Sequence, residues 1–224
     1  MSHVELRPEE LLGPLNEVER KNAPPKLYLA GNLAVFSAGP RVSIVGSREA
    51  SAQGKQRAAR LARALVSRGV TVVSGLAEGI DTVAHVTAME SGGRTIAVLG
   101  TPLDRYFPAE NRALQERIMR EQLAISQFER AGGPKNFPMR NRTMALLCEA
   151  TVIVEAGEKS GTAHQGWEAL RLGRLLFFME SLASLKQEWT EKHIRYGAQV
   201  LSDATFEAFL DSIPERASGE QLAL

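Results

Sequence analysis

Short runs of consecutive β-branched and aliphatic residues alternate along the chain with longer stretches in which apolar positions recur three and four residues apart. From residue 41 onward this predicts a strand at 42–46 and a helix at about 51–68, where Ala58, Leu61, Ala62, Leu65 and Val66 form one apolar stripe. Gly69 ends that helix. A strand at 70–74, a helix reaching about Ser91 with Ile80, Val83, Ala84, Thr87 and Ala88 on one face, and a strand at 94–99 come next. A loop holding Asp104, Tyr106 and Pro108 leads to a charged helix at about 109–121 and a short strand at 123–126. After a glycine-proline loop at 131–134 a helix should start near Pro138, since proline suits the first helical turn. A strand at 151–155, a helix at about 162–172, a strand at 174–178, a helix near 181–194, a strand at 199–201 and a helix at 203–212 complete the series.

Strands that read as unbroken apolar runs are buried on both faces. Repeated β-α units of this kind predict an α/β fold, a doubly wound, mostly parallel Rossmann-like sheet in a single domain. The expected layout is an N-terminal extension over 1–40 leaning on the core, the Rossmann-like domain over 41–212 and a disordered tail over 213–224. Ligands of such sheets sit beyond the carboxyl ends of the strands, so the loops after positions 46, 74, 100 and 155 should line one crevice.

Composition narrows the class of protein. A hydrophobic content of 44% is ordinary for a globular core, and 27 basic against 26 acidic residues leave a net charge of +1. Any polyanion must therefore meet a local patch. The single Cys148, inside the apolar stretch MALLCEA, rules out an internal disulfide framework and a multi-cysteine metal site and reads as a buried core thiol. No apolar run approaches the roughly 18 residues of a membrane span, and MSHVELRPEE lacks the apolar region of a signal peptide, so a cytoplasmic location is expected.

The chemistry begins at Gly46-Ser47-Arg48, between the first strand of the series and its helix. Backbone N–H groups at such a helix start attract an anion, and Arg48 and Ser47 add a charged fork and a small donor. A dinucleotide is disfavoured, because the loop is not G-x-G-x-x-G and the second strand ends in Ser74-Gly75 where a ribose-gripping acid belongs. A P-loop is disfavoured too, with seven residues between Gly46 and Gly54 and Gln56 in the magnesium-holding position. The octapeptide Lys135-Asn136-Phe137-Pro138-Met139-Arg140-Asn141-Arg142 places three cations, two amides and one aromatic ring beside a helix N-terminus. Cations hold phosphates and Phe137 offers a face for a base, which suits a single strand. The alternative is a ring stapled to its own helix beside a solvated charged face. Lys55, Arg57, Arg60, Arg63 and Arg68 lie opposite an apolar stripe, where any surface helix carries charge.

Taken in order, IVGSREAS, SGLAEGIDTVAH, GGRTIAVLG, the YFP loop, FPMRNR and VIVEAGEKSGT resemble the DNA-processing protein A family (DprA/Smf) over about residues 24–178. The resemblance implies an extended Rossmann domain that binds single-stranded DNA without catalysis or a cofactor, forms a homodimer and helps load a RecA-type recombinase during natural transformation. Carried onto matching positions, Gly46, Ser47, Arg48, Lys135, Phe137, Arg140 and Asn141 would hold the strand, and Ser160, Gly161 and Thr162 would line the pocket. After Thr162 the chain departs from the family's usual threonine-alanine pair, and later from its proline-glycine. It resembles a minimal or divergent member lacking the winged-helix domain.

An enzyme reading stands beside this one. SGTAHQGWEALRLGR also resembles the GGxGTxxE turn of LOG-type nucleotide phosphoribohydrolases, in which an arginine and a glutamate act on the glycosidic bond of a nucleoside monophosphate. Here Ser160 replaces a glycine, and Glu168 lies six residues after Thr162 where about three are expected. Glu155 is a second candidate carboxylate, and His164 a possible ligand contact. A nucleotide-sensing domain is a third reading. Asp81 and His85, at i and i+4, can be a weak metal or proton-relay pair, or a cap on the glycine loop with His85 held by it. His3 and His193 carry no functional context, and Trp167 and Trp189 read as core or interface residues.

Overall fold

The computed structural model describes residues 3–158 and 160–213. Its strands are β1 (Val4–Leu6), β2 (Leu27–Gly31), β3 (Arg41–Val45), β4 (Thr71–Ser74), β5 (Thr95–Leu99), β6 (Leu123–Ser126), β7 (Ala150–Ile153), β8 (Leu175–Met179) and β9 (Gln199–Leu201). Helices α1 (Pro8–Leu12), α2 (Glu17–Asn22), α3 (Ala34–Ser37), α4 (Ala52–Ser67), α5 (Ile80–Glu90) and α6 (Arg112–Glu121) occupy the first half. Helices α7 (Asn136–Leu147), α8 (Thr162–Arg171), α9 (Glu180–Ala183), α10 (Glu188–Arg195) and α11 (Phe206–Ser212) follow. The helix expected near 181–194 is thus two helices, and the helix expected from Pro138 already begins at Asn136.

All nine strands form one sheet in the order β1-β2-β6-β5-β4-β3-β7-β8-β9. From β6 to β9 the neighbours are parallel. The parallel strands run outward from β3 to β6 on one side and from β7 to β9 on the other, so the order reverses between β3 and β7, where such sheets open a crevice. Both faces of the sheet are covered. Val42, Ile44, Val72 and Val152 pack with Leu61, Leu65 and Ile80 of α4 and α5 and with Phe209 of α11. Val73, Val98, Ile153 and Phe178 pack on the other face with Phe36, Met144 and Leu147.

The segment 1–40, expected to lean on the core, instead contributes to the sheet. β2 pairs antiparallel with β6, setting Leu29 opposite Ile125, and β1 pairs antiparallel with β2. LYLAG is too short a run to reveal whether it lies on a sheet or within one; burial of Leu27 and Leu29 decides it. Of the tail expected over 213–224, residues 214–224 lie outside the described residues, while Ile213 is buried in the core beside Phe209 and Leu210. Arg41 is also more than the first residue of a strand. It is fully buried, ion-pairs with Glu149 and donates to the carbonyls of Phe36 and Leu147, fastening α3 and the end of α7 to β3. Cys148 is buried in the core as expected, and burial pushes its thiol well above the ordinary range.

Candidate functional site

A cleft of about 640 Å³ opens beyond the carboxyl ends of β3, β4 and β7, within the roughly 300–1,000 Å³ span of small-ligand sites. Its lining includes Gly46, Ser47 and Arg48 after β3, Ala77 and Asp81 after β4, and Phe137, Arg140 and Asn141 from α7. Ser160, Gly161, Thr162, His164 and Gln165, at the start of α8, form the remaining wall. Three of the four loops expected at the crevice therefore line it. The fourth stands behind it: a Cβ on Gly100 would meet the Phe137 ring at 2.7 Å.

Local chemistry explains the shape of the floor. The Gly46-Ser47-Arg48 loop is tied down where Ser47 N–H donates to the Glu155 carbonyl and the Ser47 carbonyl accepts from Ile80 N–H. Gly79, at φ +75°, makes this approach possible, since a side chain there would strike the Ser47 carbonyl. Asp81 is buried, and its Oδ2 accepts from the backbone N–H groups of Gly75 and Ala77 at 3.1 and 3.3 Å. Burial raises its pKa, with Arg140 and those N–H groups opposing. Asp81 thus caps the glycine loop. His85 is held by Thr95 Oγ1 at 2.7 Å, not by that loop, and burial lowers its pKa to about 3. No cluster of three or more metal-ligating side chains occurs among the described residues.

The expected site residues fall into two groups. Arg48 is exposed, with its guanidinium carbon 5.9 Å from the centre of the half-buried Phe137 ring, and Lys135 is exposed at the start of α7. Phe137 also meets the exposed Phe107 ring, centroids 5.4 Å apart. Arg140 differs from expectation. It is buried, donates to the carbonyls of Gly75 and Val98, and passes its Nε–H to Asn141 Oδ1 at 3.0 Å. A side chain on Gly75 would collide with this guanidinium, so glycine is required there. Arg140 is consequently a brace in the cleft floor, where a phosphate-gripping cation had been expected. Asn141 Nδ2 donates to the Gly161 carbonyl at 3.4 Å, joining α7 to the α8 turn, in which Ser160 Oγ and Thr162 Oγ1 lie 2.8 Å apart.

The N-terminus of α4, expected to await an anion, already holds one from its own chain. Glu155 accepts from Ser51 N–H at 2.8 Å and from Ser51 Oγ at 2.6 Å, and pairs with Arg57 at 3.4 Å. Ser51 Oγ in turn accepts from Gly54 N–H. Glu168 is fully buried and engaged by Arg142 at 3.0 Å, His164 at 3.4 Å and Arg171 at 3.7 Å. His193 is buried, bridging the Trp189 and Ala163 carbonyls and so tying α10 to α8. Trp189 packs on Phe178, while Trp167 lies against His193 and Tyr196. His3 remains at the surface beside Glu5 and Tyr28. Sequence reasoning missed Gln165, a cleft-lining residue taken only as part of a turn. Its sole sequence signal is an amide three residues beyond Thr162, on the inward face of α8.

These features define a Rossmann-like domain with a polar cleft at its topological switch point, cationic at its mouth. The chain belongs to the DNA recombination-mediator protein A family, whose model matches residues 8–211. It is similar to DNA processing protein DprA of Streptococcus pneumoniae, 39% identical over 158 residues, which are 70% of this chain and 55% of that protein. Protein Smf of Synechocystis is 37% identical over 214 residues, 91% of this chain and 53% of its own length. The chain spans about half the length of these curated relatives. Among solved structures, that of S. pneumoniae DprA superposes with a TM-score of 0.78 at 29% identity, covering 96% of this chain and 75% of the other. A Helicobacter pylori DNA processing protein A structure, described for its single-stranded DNA binding mode, gives 0.74 at 26% identity and covers 94% of each. A molybdenum cofactor binding protein of Rippkaea orientalis, at 15% identity and a TM-score of 0.57, shares the fold; it covers 78% of this chain and 96% of its own.

Proposed function

We propose that this chain binds single-stranded DNA in the cleft, with little sequence preference and without catalysing a reaction, as a recombination mediator. The observation that carries the reading is the juxtaposition of Arg48 with the Phe137 ring at the cleft mouth, a cation for a phosphate beside a face for a base. Lys135 extends the positive edge, while Ser47, Asn141 and the Ser160-Gly161-Thr162 turn supply small polar contacts. Arg140 acts from beneath, holding Gly75 and Asn141 in place. Family membership supports the same reading, as does the likeness to the H. pylori protein. Homodimerisation, cooperation with a RecA-type recombinase and a cytoplasmic site of action belong to this proposal.

The test is titration of labelled oligo-dT at several salt concentrations. Binding should weaken with a slope near −0.7 in log K against log salt for each phosphate neutralised, and Arg48→Ala should flatten that slope by about one contact. Phe137→Ala should weaken binding with the slope nearly unchanged. Absence of binding at 50 mM salt would overturn the proposal.

Hydrolysis of nucleoside monophosphates is less well supported. Glu168 is held by two arginines and His164, Glu155 caps α4, and Gln165 is an amide that neither takes nor gives a proton at neutral pH. Release of free base from AMP, lost in Glu168→Gln, would restore the enzyme reading.

A further inference from the structure

β1 is the terminal strand of the sheet, and no strand among the described residues pairs with its outer edge. Val4 and Glu5 are exposed there. Such an edge offers free backbone N–H and C=O groups to another chain. Two cavities meet at this strand and share His3 and Ala30 in their linings. One, of about 500 Å³, is walled by the apolar side chains of Val4, Leu29, Leu33 and Met119. The other, of about 520 Å³, lies between Tyr28 of β2, Tyr106 of the loop after β5 and Phe128 just beyond β6, all three half-buried. Its border carries the carboxylates of Glu5, Asp104 and Glu129. Glu5 is matched by Lys26 at 2.6 Å. Asp104 and Glu129 are exposed and enter no ion pair or hydrogen bond among the described residues. The charge of Asp104 acts on the Tyr106 hydroxyl and that of Glu129 on Lys26, so the two carboxylates stand at different rings of the cavity. These rings already attract cations of their own chain: Lys26 lies 5.9 Å from the centre of Tyr28 and Arg112 4.8 Å from that of Tyr106.

We infer that this edge is a docking site for an extended, basic segment of a partner protein, which pairs its backbone with β1 and seats an arginine among Tyr28, Tyr106 and Phe128. Aromatic faces beside unmatched carboxylates select a cation. A guanidinium suits them better than an ammonium, because its plane stacks on a ring while its edge donates two parallel hydrogen bonds to a carboxylate. Asp104 and Glu129 are the counter-ions, and an aliphatic neighbour of the arginine fills the cavity walled by Val4 and Met119. Strand addition draws affinity from main-chain hydrogen bonds and specificity from side-chain pockets, and β1 has both within reach. The same carboxylates repel phosphate, which excludes nucleic acid from this face. The site lies at the end of the sheet opposite β9 and shares no lining residue with the cleft beyond β3, so it does not depend on the single-strand reading.

The experiment titrates the full chain into a dye-labelled, C-terminally amidated peptide, Thr-Val-Arg-Val-Thr, and follows fluorescence anisotropy at constant salt. Two comparison peptides carry citrulline in place of arginine, which keeps the shape without the charge, or N-methyl groups on both valines, which block strand pairing. Wild-type protein should bind each comparison peptide about tenfold more weakly than the parent, the scale of one stacked, charge-assisted contact or of a lost pair of main-chain hydrogen bonds. Asp104→Asn with Glu129→Gln should bind the arginine peptide as weakly as the wild type binds the citrulline one, and should no longer distinguish the two. No saturable binding up to millimolar protein, or equal affinity of the wild type for arginine and citrulline peptides, would overturn the inference. Full discrimination in the double variant would overturn it as well. Equal affinity for the N-methylated peptide would show that a guanidinium enters without a strand beside it, which overturns docking of a segment on β1. Should the double variant melt below the assay temperature, the wild-type comparisons decide alone.

Discussion

Arg48 and Arg140 carry the same guanidinium, yet one stands exposed at the cleft mouth and the other is buried against carbonyl oxygens. FPMRNR identifies a stretch rich in cations, but position in a helix decides which cation faces solvent. His85 illustrates the same point with a measurable consequence. Its pKa is lowered to about 3, first by burial and then by the charge of Arg140. In the unfolded chain it takes up a proton as pH falls through about 6.5, whereas the native state delays until about 3. Its contribution to stability is complete above pH 6.5 and is lost progressively toward pH 3. Asp81 acts in the opposite sense, because its raised pKa stabilises the native state at low pH and that contribution fades as pH rises. Melting temperatures at pH 7 and pH 4.5 check the first effect: the drop should be smaller in His85→Gln than in the wild type. An equal drop would mean that His85 does not carry the linkage.

At the scale of elements, α4 shows how a basic helix can be structural. Arg57 pairs with Glu155, Arg60 with Asp203, and Arg68 with Glu207 and Asp211, so three of the five cations on this face are matched within the chain. The last two pairings join α4 to the loop before α11 and to α11 itself, over Phe206 and Phe209. Arg60→Gln with Arg68→Gln should leave the salt slope for oligo-dT unchanged, and the loss of these solvent-screened pairs should barely move the denaturant midpoint. A slope shallower by two contacts would instead place α4 on the DNA path. The start of α4 follows from sequence through Ser51, a favoured cap. That Glu155, more than a hundred positions away, completes the cap follows only from the adjacency of β3 and β7. A phosphate site at that helix start was the natural expectation, and a long-range carboxylate displaced it.

For the whole molecule, the sheet continues past its parallel core through β2 and β1, which cover the edge that β6 would otherwise expose. Leu29, 1% exposed and opposite Ile125, is a core residue of this extension. Leu29→Ala should therefore cost about 2–5 kcal/mol in denaturant unfolding, as in any well-packed core; a cost under about 0.5 kcal/mol would return the segment to a loosely attached arm. Most of the β-α alternation from residue 41 onward was legible, because buried parallel strands leave unbroken apolar runs and surface helices leave stripes. Family membership was legible too, through motifs whose order along the chain is itself information. What sequence alone determined is local: which segments become strands and helices, where they are capped, and which loops carry cations. What only tertiary structure decided is which of those groups are already satisfied. Glu155, Glu168, Asp81 and Arg140 meet their partners across strands and helices distant in the chain. Gln165 meets none among the described residues. Spacing in sequence cannot distinguish a used hydrogen-bonding group from an unused one, because the partner is supplied by chain packing.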